Sequence, residues 1–177
     1  MLAGLVVVTS FIPPVPMPPF GSLYWCDGVI YVAAYLVDPF ASFIIGGLGT
    51  FLYDLIHGNA AMMVPSLIIH GLQGAVVSAL LRYVLPKTRE ALWAAIASIV
   101  GGVVVIGGYF VLRRYVQGNV LQYCGLRAVA NVIQEAVGIA VGMTLCYATT
   151  LKRQLAKNNF LPDFKNEILD SEDQRQS

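Results

Sequence analysis

Charge is what this chain has least of. Only 12% of its 177 residues are Asp, Glu, Lys or Arg, about half the share of a soluble globular domain. Beside a hydrophobic fraction of 57% and a mean hydropathy of +0.70, that shortage points to lipid as the solvent. A net charge of +1 supplies no basic field for nucleic acid. Cysteine is scarce too. Cys26, Cys124 and Cys146 are too few and too scattered for a disulfide framework or a zinc site, and each reads as a small apolar packing residue. The two histidines, His57 and His70, stand in no HxxxH or HxxE spacing with each other or with Asp54 and Glu135, so neither a metal nor another cofactor is expected. No phosphate loop, Rossmann fingerprint or nucleophile elbow is present. No Ser or Cys sits beside a His in a readable motif, and the chain does not read as an enzyme.

What is present is a series of six apolar segments, at residues 1–12, about 23–37, 40–56, 63–85, about 91–112 and about 126–151. A membrane-crossing helix needs about 20 apolar residues, with ~17 at the low end. Segments three to six reach that length, segment two needs its flanks, and segment one is too short. Segment one also lacks the Lys or Arg of a signal-peptide n-region. The expectation is an all-α membrane protein, a six-transmembrane-helix bundle whose first helix is short or truncated. Residues 1–157 would form one integral membrane domain, and residues 158–177 a polar, mobile cytoplasmic tail. Between segments, "PPVPMPPFGS" cannot continue a helix, and "VDPF" breaks at Asp38-Pro39. "HGNAAMMVP" and "QGNVLQYCG" carry Gly and Asn turn signals.

Lys and Arg placement sets orientation. Arg82, Lys87, Arg89, Lys152, Arg153 and Lys157 fall on one side if the segments alternate, against Arg113, Arg114 and Arg127 on the other. The excess places both termini in the cytoplasm and the chain in the plasma membrane.

With that topology each intramembrane polar residue acquires a depth, at about 1.5 Å of rise per residue. Tyr24, Trp25 and Asp27 open helix two at the outer face. Tyr53, Asp54 and His57 close helix three there. His70 and Gln73 lie on the entering helix four, Tyr109 on the exiting helix five, and Arg127, Asn131, Gln134 and Glu135 on the entering helix six. All fall in the outer half, whereas inner stretches such as "FIIGGLG", "AVVSALL" and "GIAVGMTLC" are nearly free of such groups. Ionisable groups in a bilayer face a partner or a watery cavity, so the clustering suggests a polar cavity open to the outside. The competing reading is a hydrogen-bonded network that only holds helices together. Arg127, Asn131 and Glu135 share one helix face at i, i+4 spacing, and Glu135 could answer Arg127 or His70 instead of a ligand. Asp54 and His57 could simply be solvated, Asp27 could serve the helix dipole, and Trp25, Tyr24 and Tyr109 could be interfacial belt residues. The glycines of "GGLG", Gly71 with Gly74, Gly138 with Gly142, and "GGVVVIGG" read as small residues that let helices approach.

The stretch "CDGVIYVAAYLVDPFASFIIGGLGTFLYDLIHGNAAMMVPSLIIHGLQGAVVSALL" resembles the substrate-binding S component of energy-coupling factor (ECF) transporters. In that family a "GD" opens helix two, "LLGP" joins helices two and three, "GGLGSALADLL" lies in helix three, and a "P–liiKGl–G" helix four follows. Here Asp27 holds the acid of the "GD", Asp38-Pro39 replaces Gly-Pro, Asp54 holds the helix-three acid, and His70 stands where lysine is common. "GGYFVL" and "ANVIQEAVG" resemble the "GYF" and "N–IQ–G" of the riboflavin-type branch. The resemblance spans about residues 21–151. It implies uptake of a vitamin or vitamin precursor, bound from outside, with a transmembrane coupling subunit and two ATPase subunits as partners. It also implies that loop one gates the site and that a small-residue face on helix one meets the coupling subunit; Ala3 and Ser10 are what this chain retains of that face.

Substrate-binding residues are therefore expected at Asn131, Gln134 and Glu135, with polar contacts from Asp54, His57 and His70, aromatic faces from Trp25, Tyr24 and Tyr109, and Asp27 nearby. Three acids over few cations favour a neutral or cationic planar ligand, such as riboflavin or a pyrimidine or pyridine vitamer. The alternative is a small structural or assembly membrane protein that transports nothing.

Overall fold

The computed structural model describes residues 2–9, 12, 14–85 and 90–148. Among the described residues the chain forms six helices: α1 (Leu2–Thr9), α2 (Cys26–Leu36), α3 (Pro39–Ile56), α4 (Ala60–Ala79), α5 (Glu90–Val111) and α6 (Leu121–Met143). A small hairpin, β1 (Val15–Met17) and β2 (Gly21–Leu23), lies between α1 and α2. Helices α4, α5 and α6 each run on through a wider π-helical turn, at Leu80–Val84, Leu112–Val116 and Thr144–Ala148.

Local chemistry explains the boundaries. The Asp38 carboxylate accepts the Phe40 and Ala41 N–H groups at 3.0 Å each, and Pro39 occupies the first helical position, where its missing N–H has no partner to lose. The α3–α4 and α5–α6 connections turn on Gly58 and Gly118, at φ +68° and +69°, a region that only glycine enters freely. Two turn signals were narrower than expected. Helix α4 starts at Ala60 and α6 at Leu121, so "AAMMVP" and "LQYCG" are helical. Pro65 stands in the second turn of α4, where the ring removes one backbone hydrogen bond. In loop one the prolines form a hairpin, not an irregular stretch. Val15 pairs with Leu23, Pro16 with Ser22 and Met17 with Gly21, the Pro18-Pro19 bond is cis, and a two-stranded ribbon tolerates Pro because each strand has a free edge.

Four helices are long and apolar enough to cross a membrane: Pro39–Ile56, Ala60–Val84, Glu90–Val116 and Leu121–Tyr147. The expected count of six spanning helices is not reached among the described residues. Helix α2 stops after 11 residues, between the hairpin and the Asp38-Pro39 break, and α1 has eight. Helix α2 is instead the central helix: every residue but Val29 is buried, so it is apolar on all sides because it is surrounded by protein. Around it, large apolar residues such as Phe40, Ile44, Leu48, Val64, Ile68 and Val103 stay exposed on the faces that lipid would cover. Neither Ser10 nor the side chain of Ala3 lies within the described residues, and the same holds for Lys87, Arg89, Lys152, Arg153, Lys157 and the 158–177 tail.

Close helix approach depends on missing side chains. A Cβ at Gly47 would stand 2.5 Å from the Leu67 carbonyl oxygen of α4, and one at Gly46 2.7 Å from the His70 carbonyl oxygen. A Cβ at Gly138 of α6 would stand 2.8 Å from the Asp27 Cβ of α2. These contacts fix the spacing of the helices that carry the polar groups. Gly47→Ala is expected to destabilise the protein by about 1–3 kcal/mol, the range for forcing an extra methyl into a packed contact. Thermal unfolding in detergent checks this, and an unchanged melting temperature would contradict the close packing.

Candidate functional site

The outer-face polar residues come together at one end of the bundle: the start of α2, the end of α3, the start of α4, the end of α5 and the start of α6. They surround a small cleft of about 110 Å³, open at its mouth. Tyr24 and Cys26 contribute from the α2 end, and Thr50, Tyr53 and Asp54 from α3. Asn59 precedes α4, which adds Met62, Ser66 and His70. Tyr109 and Arg113 come from the α5 end, and Arg127, Asn131 and Gln134 from α6.

Three tyrosines supply aromatic surface. Tyr24 meets Tyr53 edge-on with centroids 5.4 Å apart. Tyr109 meets the His70 ring at 5.6 Å, shares a 2.8 Å hydrogen bond with Ser66, and lies under the Arg113 guanidinium at 5.0 Å. Asp54 is buried and accepts the Asn59 side-chain N–H at 3.0 Å.

Beneath the cleft runs a chain of hydrogen bonds and one ion contact. The Tyr24 backbone N–H donates to Gln134 Oε1 at 3.1 Å, and Gln134 Nε2 donates to Asp27 Oδ2. Asp27 Oδ1 lies 3.2 Å from His70 Nδ1, which also donates to Gln73 Oε1 at 2.9 Å. Gln73 Nε2 donates to Glu135 Oε2 at 2.9 Å, and the Tyr31 hydroxyl donates to the same oxygen at 2.6 Å. Helices α2, α4 and α6 are thereby tied together below the cleft, as a bilayer requires of polar groups it cannot hydrate.

The expected site residues divide accordingly. Asn131, Gln134, Asp54, His70, Tyr109 and Tyr24 border the cleft; Glu135, Asp27, His57 and Trp25 do not. Glu135 is 3% exposed and Asp27 wholly buried, both as members of the chain below. The anticipated pairings of Glu135 with Arg127 or His70 do not form: its hydrogen-bond partners are Tyr31 and Gln73, and Arg127 Nη1 donates to the Phe20 carbonyl of loop one at 3.2 Å. His57 faces solvent, stacked on Tyr53 at 4.1 Å and bonded to the Tyr53 carbonyl. Trp25 is also exposed. Gln134 lines the cleft with both ends of its amide already engaged. The count of acids over cations also changes. Asp27 and Glu135 are internally answered, while Arg113, taken from the sequence as a loop charge, is buried in the wall. Spacing from Tyr109, one turn away, was the available signal for Arg113. Nothing local marked Ser66, Thr50 or Met62.

The model of the ECF-type riboflavin transporter S component matches residues 1–153. The chain belongs to that family. The S component is also 33% identical, over 132 residues, to the thiamine precursor transporter HmpT of Lactococcus lactis subsp. cremoris (strain MG1363), covering 75% of this chain and 72% of that protein. It is a substrate-binding subunit of a vitamin transporter and a multi-pass membrane protein.

Gln134→Leu is expected to lower stability by about 1–3 kcal/mol, because it strands the Tyr24 N–H and an Asp27 oxygen. Asn131→Leu should leave the ligand-free melting temperature nearly unchanged, since the Asn131 Nδ2 has no hydrogen-bond partner among the described residues. Paired melting curves check both; equal losses would mean that Asn131 also belongs to the scaffold.

Proposed function

We propose that this S component binds a planar heterocyclic vitamin or vitamin precursor from the outer side, in the cleft between Tyr24, Tyr53 and Tyr109 and the polar wall of α6. The observation that carries the reading is the combination of aromatic faces with a few placed polar groups at one end of an otherwise apolar bundle, the usual make-up of a small-molecule site. Asn131 is the α6 group with a donor to spare. His70 and Asp54 add polar edges, and Gln134, Asp27 and Glu135 hold the wall in place. Loop one is tied to α6 beside the cleft through the Arg127–Phe20 hydrogen bond.

The family is described by riboflavin and the Lactococcus relative by a thiamine precursor, so the ligand belongs to the wider set of riboflavin-like, pyrimidine and pyridine vitamers. The partners are an ECF transmembrane coupling subunit and two ATPase subunits, met through the first apolar segment, which carries Ala3 and Ser10. Both termini are cytoplasmic. Arg113 and Arg127 line the cleft and so leave the loop-charge count, which strengthens the positive-inside bias.

Mass spectrometry of the purified protein should find a co-purifying vitamer, and the same compound should raise the melting temperature. Tyr109→Leu should weaken its binding about two- to ten-fold, the worth of one aromatic stacking contact. Absence of any stabilising vitamer across riboflavin, pyrimidine and pyridine compounds would sink this reading.

A further inference from the structure

We propose that the cleft recognises an anionic oxygen group on its substrate, a carboxylate or a phosphate monoester, through Arg113, Arg127 and Asn131. The inference rests on the reading of the cleft as the substrate site and narrows what that substrate carries. Arg113 of α5 and Asn131 of α6 are only 6% and 7% exposed. Arg113 Nη1, Arg127 Nε and Asn131 Nδ2 are buried nitrogen donors without a hydrogen-bond partner among the described residues. Arg127 Nη1 does hold Phe20, and the ring of Tyr109 holds the Arg113 guanidinium in place. The described ion contacts include no carboxylate within 4.0 Å of either guanidinium; the ion contact in this region joins His70 and Asp27.

The carboxylates nearby make their contacts elsewhere, and Asp27 Oδ1 and Glu135 Oε1 lack a hydrogen-bond partner among the described residues. Asp54 shares the cleft and takes the Asn59 amide, Asp27 takes Gln134 and His70, and Glu135 takes Tyr31 and Gln73. The buried Arg113 guanidinium, repelled by the half-buried Arg127, is costly to keep in the wall without a counter-charge. A neutral carbonyl would satisfy one donor and leave the charge uncompensated. An anionic oxygen pair accepts from several donors at once, which is the geometry that guanidinium groups select.

Titration calorimetry on the full chain in detergent, with matched neutral and anionic heterocycles, tests this. The probes are nicotinamide against nicotinate, pyridoxal against 4-pyridoxate, and riboflavin against riboflavin 5′-phosphate. At least one anionic member should bind about ten-fold or more tightly than its neutral partner, the scale of one charge-assisted hydrogen bond. Arg113→Gln and Arg127→Gln should bring the two Kd values together, and the nearly isosteric Asn131→Asp should reverse the preference. Neutral members binding as tightly as, or more tightly than, every anionic partner would overturn the inference while leaving the site reading intact. So would an anion preference that survives both arginine substitutions and Asn131→Asp. A folded protein that binds neither member of any pair would overturn the site reading and this inference with it.

Discussion

A carboxylate with no water to hydrate it is the constraint on which the rest of this molecule depends. Asp27 sits wholly buried on the central helix α2, where an unpaired polar group costs several kcal/mol. Its oxygens are met by Gln134 from α6 and His70 from α4. His70 in turn engages Gln73, and Gln73 engages Glu135. Each partner arrives from a different helix, so satisfying one acid fixes the relative depth and rotation of three helices. The glycines make this reach feasible: with no Cβ at Gly138, α6 comes close enough to α2 for Gln134 to meet Asp27.

That scaffold separates two kinds of polar residue that look alike in sequence. Asp27 meets Gln134 and His70, Gln73 meets His70 and Glu135, and together they form the floor. Asn131, Arg113 and Arg127 keep donors in reserve and line the cleft. The tyrosines bridge the two layers, Tyr31 bonding to Glu135 below and Tyr109 carrying Arg113 above. A binding site in a membrane needs both. Without the bonded floor the wall would have no fixed geometry, and spare donors in the wall are what a ligand could engage.

Much of this was legible beforehand. The four long helices follow from apolar runs of spanning length, the α3 start from Asp38-Pro39, and the convergence of polar residues from counting depth along alternating segments. Helix α2 was misjudged as a marginal span because hydropathy cannot tell a helix buried in protein from one facing lipid; both are apolar. The hairpin in loop one was hidden by its prolines, which argue against helix but do not exclude an edge strand.

The sequence by itself determined the solvent, the family and the end of the bundle at which polar chemistry gathers, because these depend on composition, order and one-dimensional depth. Only the tertiary structure decided which polar residues belong to the floor and which to the wall. That choice turns on distances between helices: a carboxylate at Glu135 and an amide at Asn131 lie one turn apart on the same helix, yet Glu135 Oε2 meets Tyr31 and Gln73 while Asn131 Nδ2 meets no acceptor among the described residues. The polarity of the cleft wall was decided the same way, since Arg113 joins it only through the packing of α5 against its neighbours.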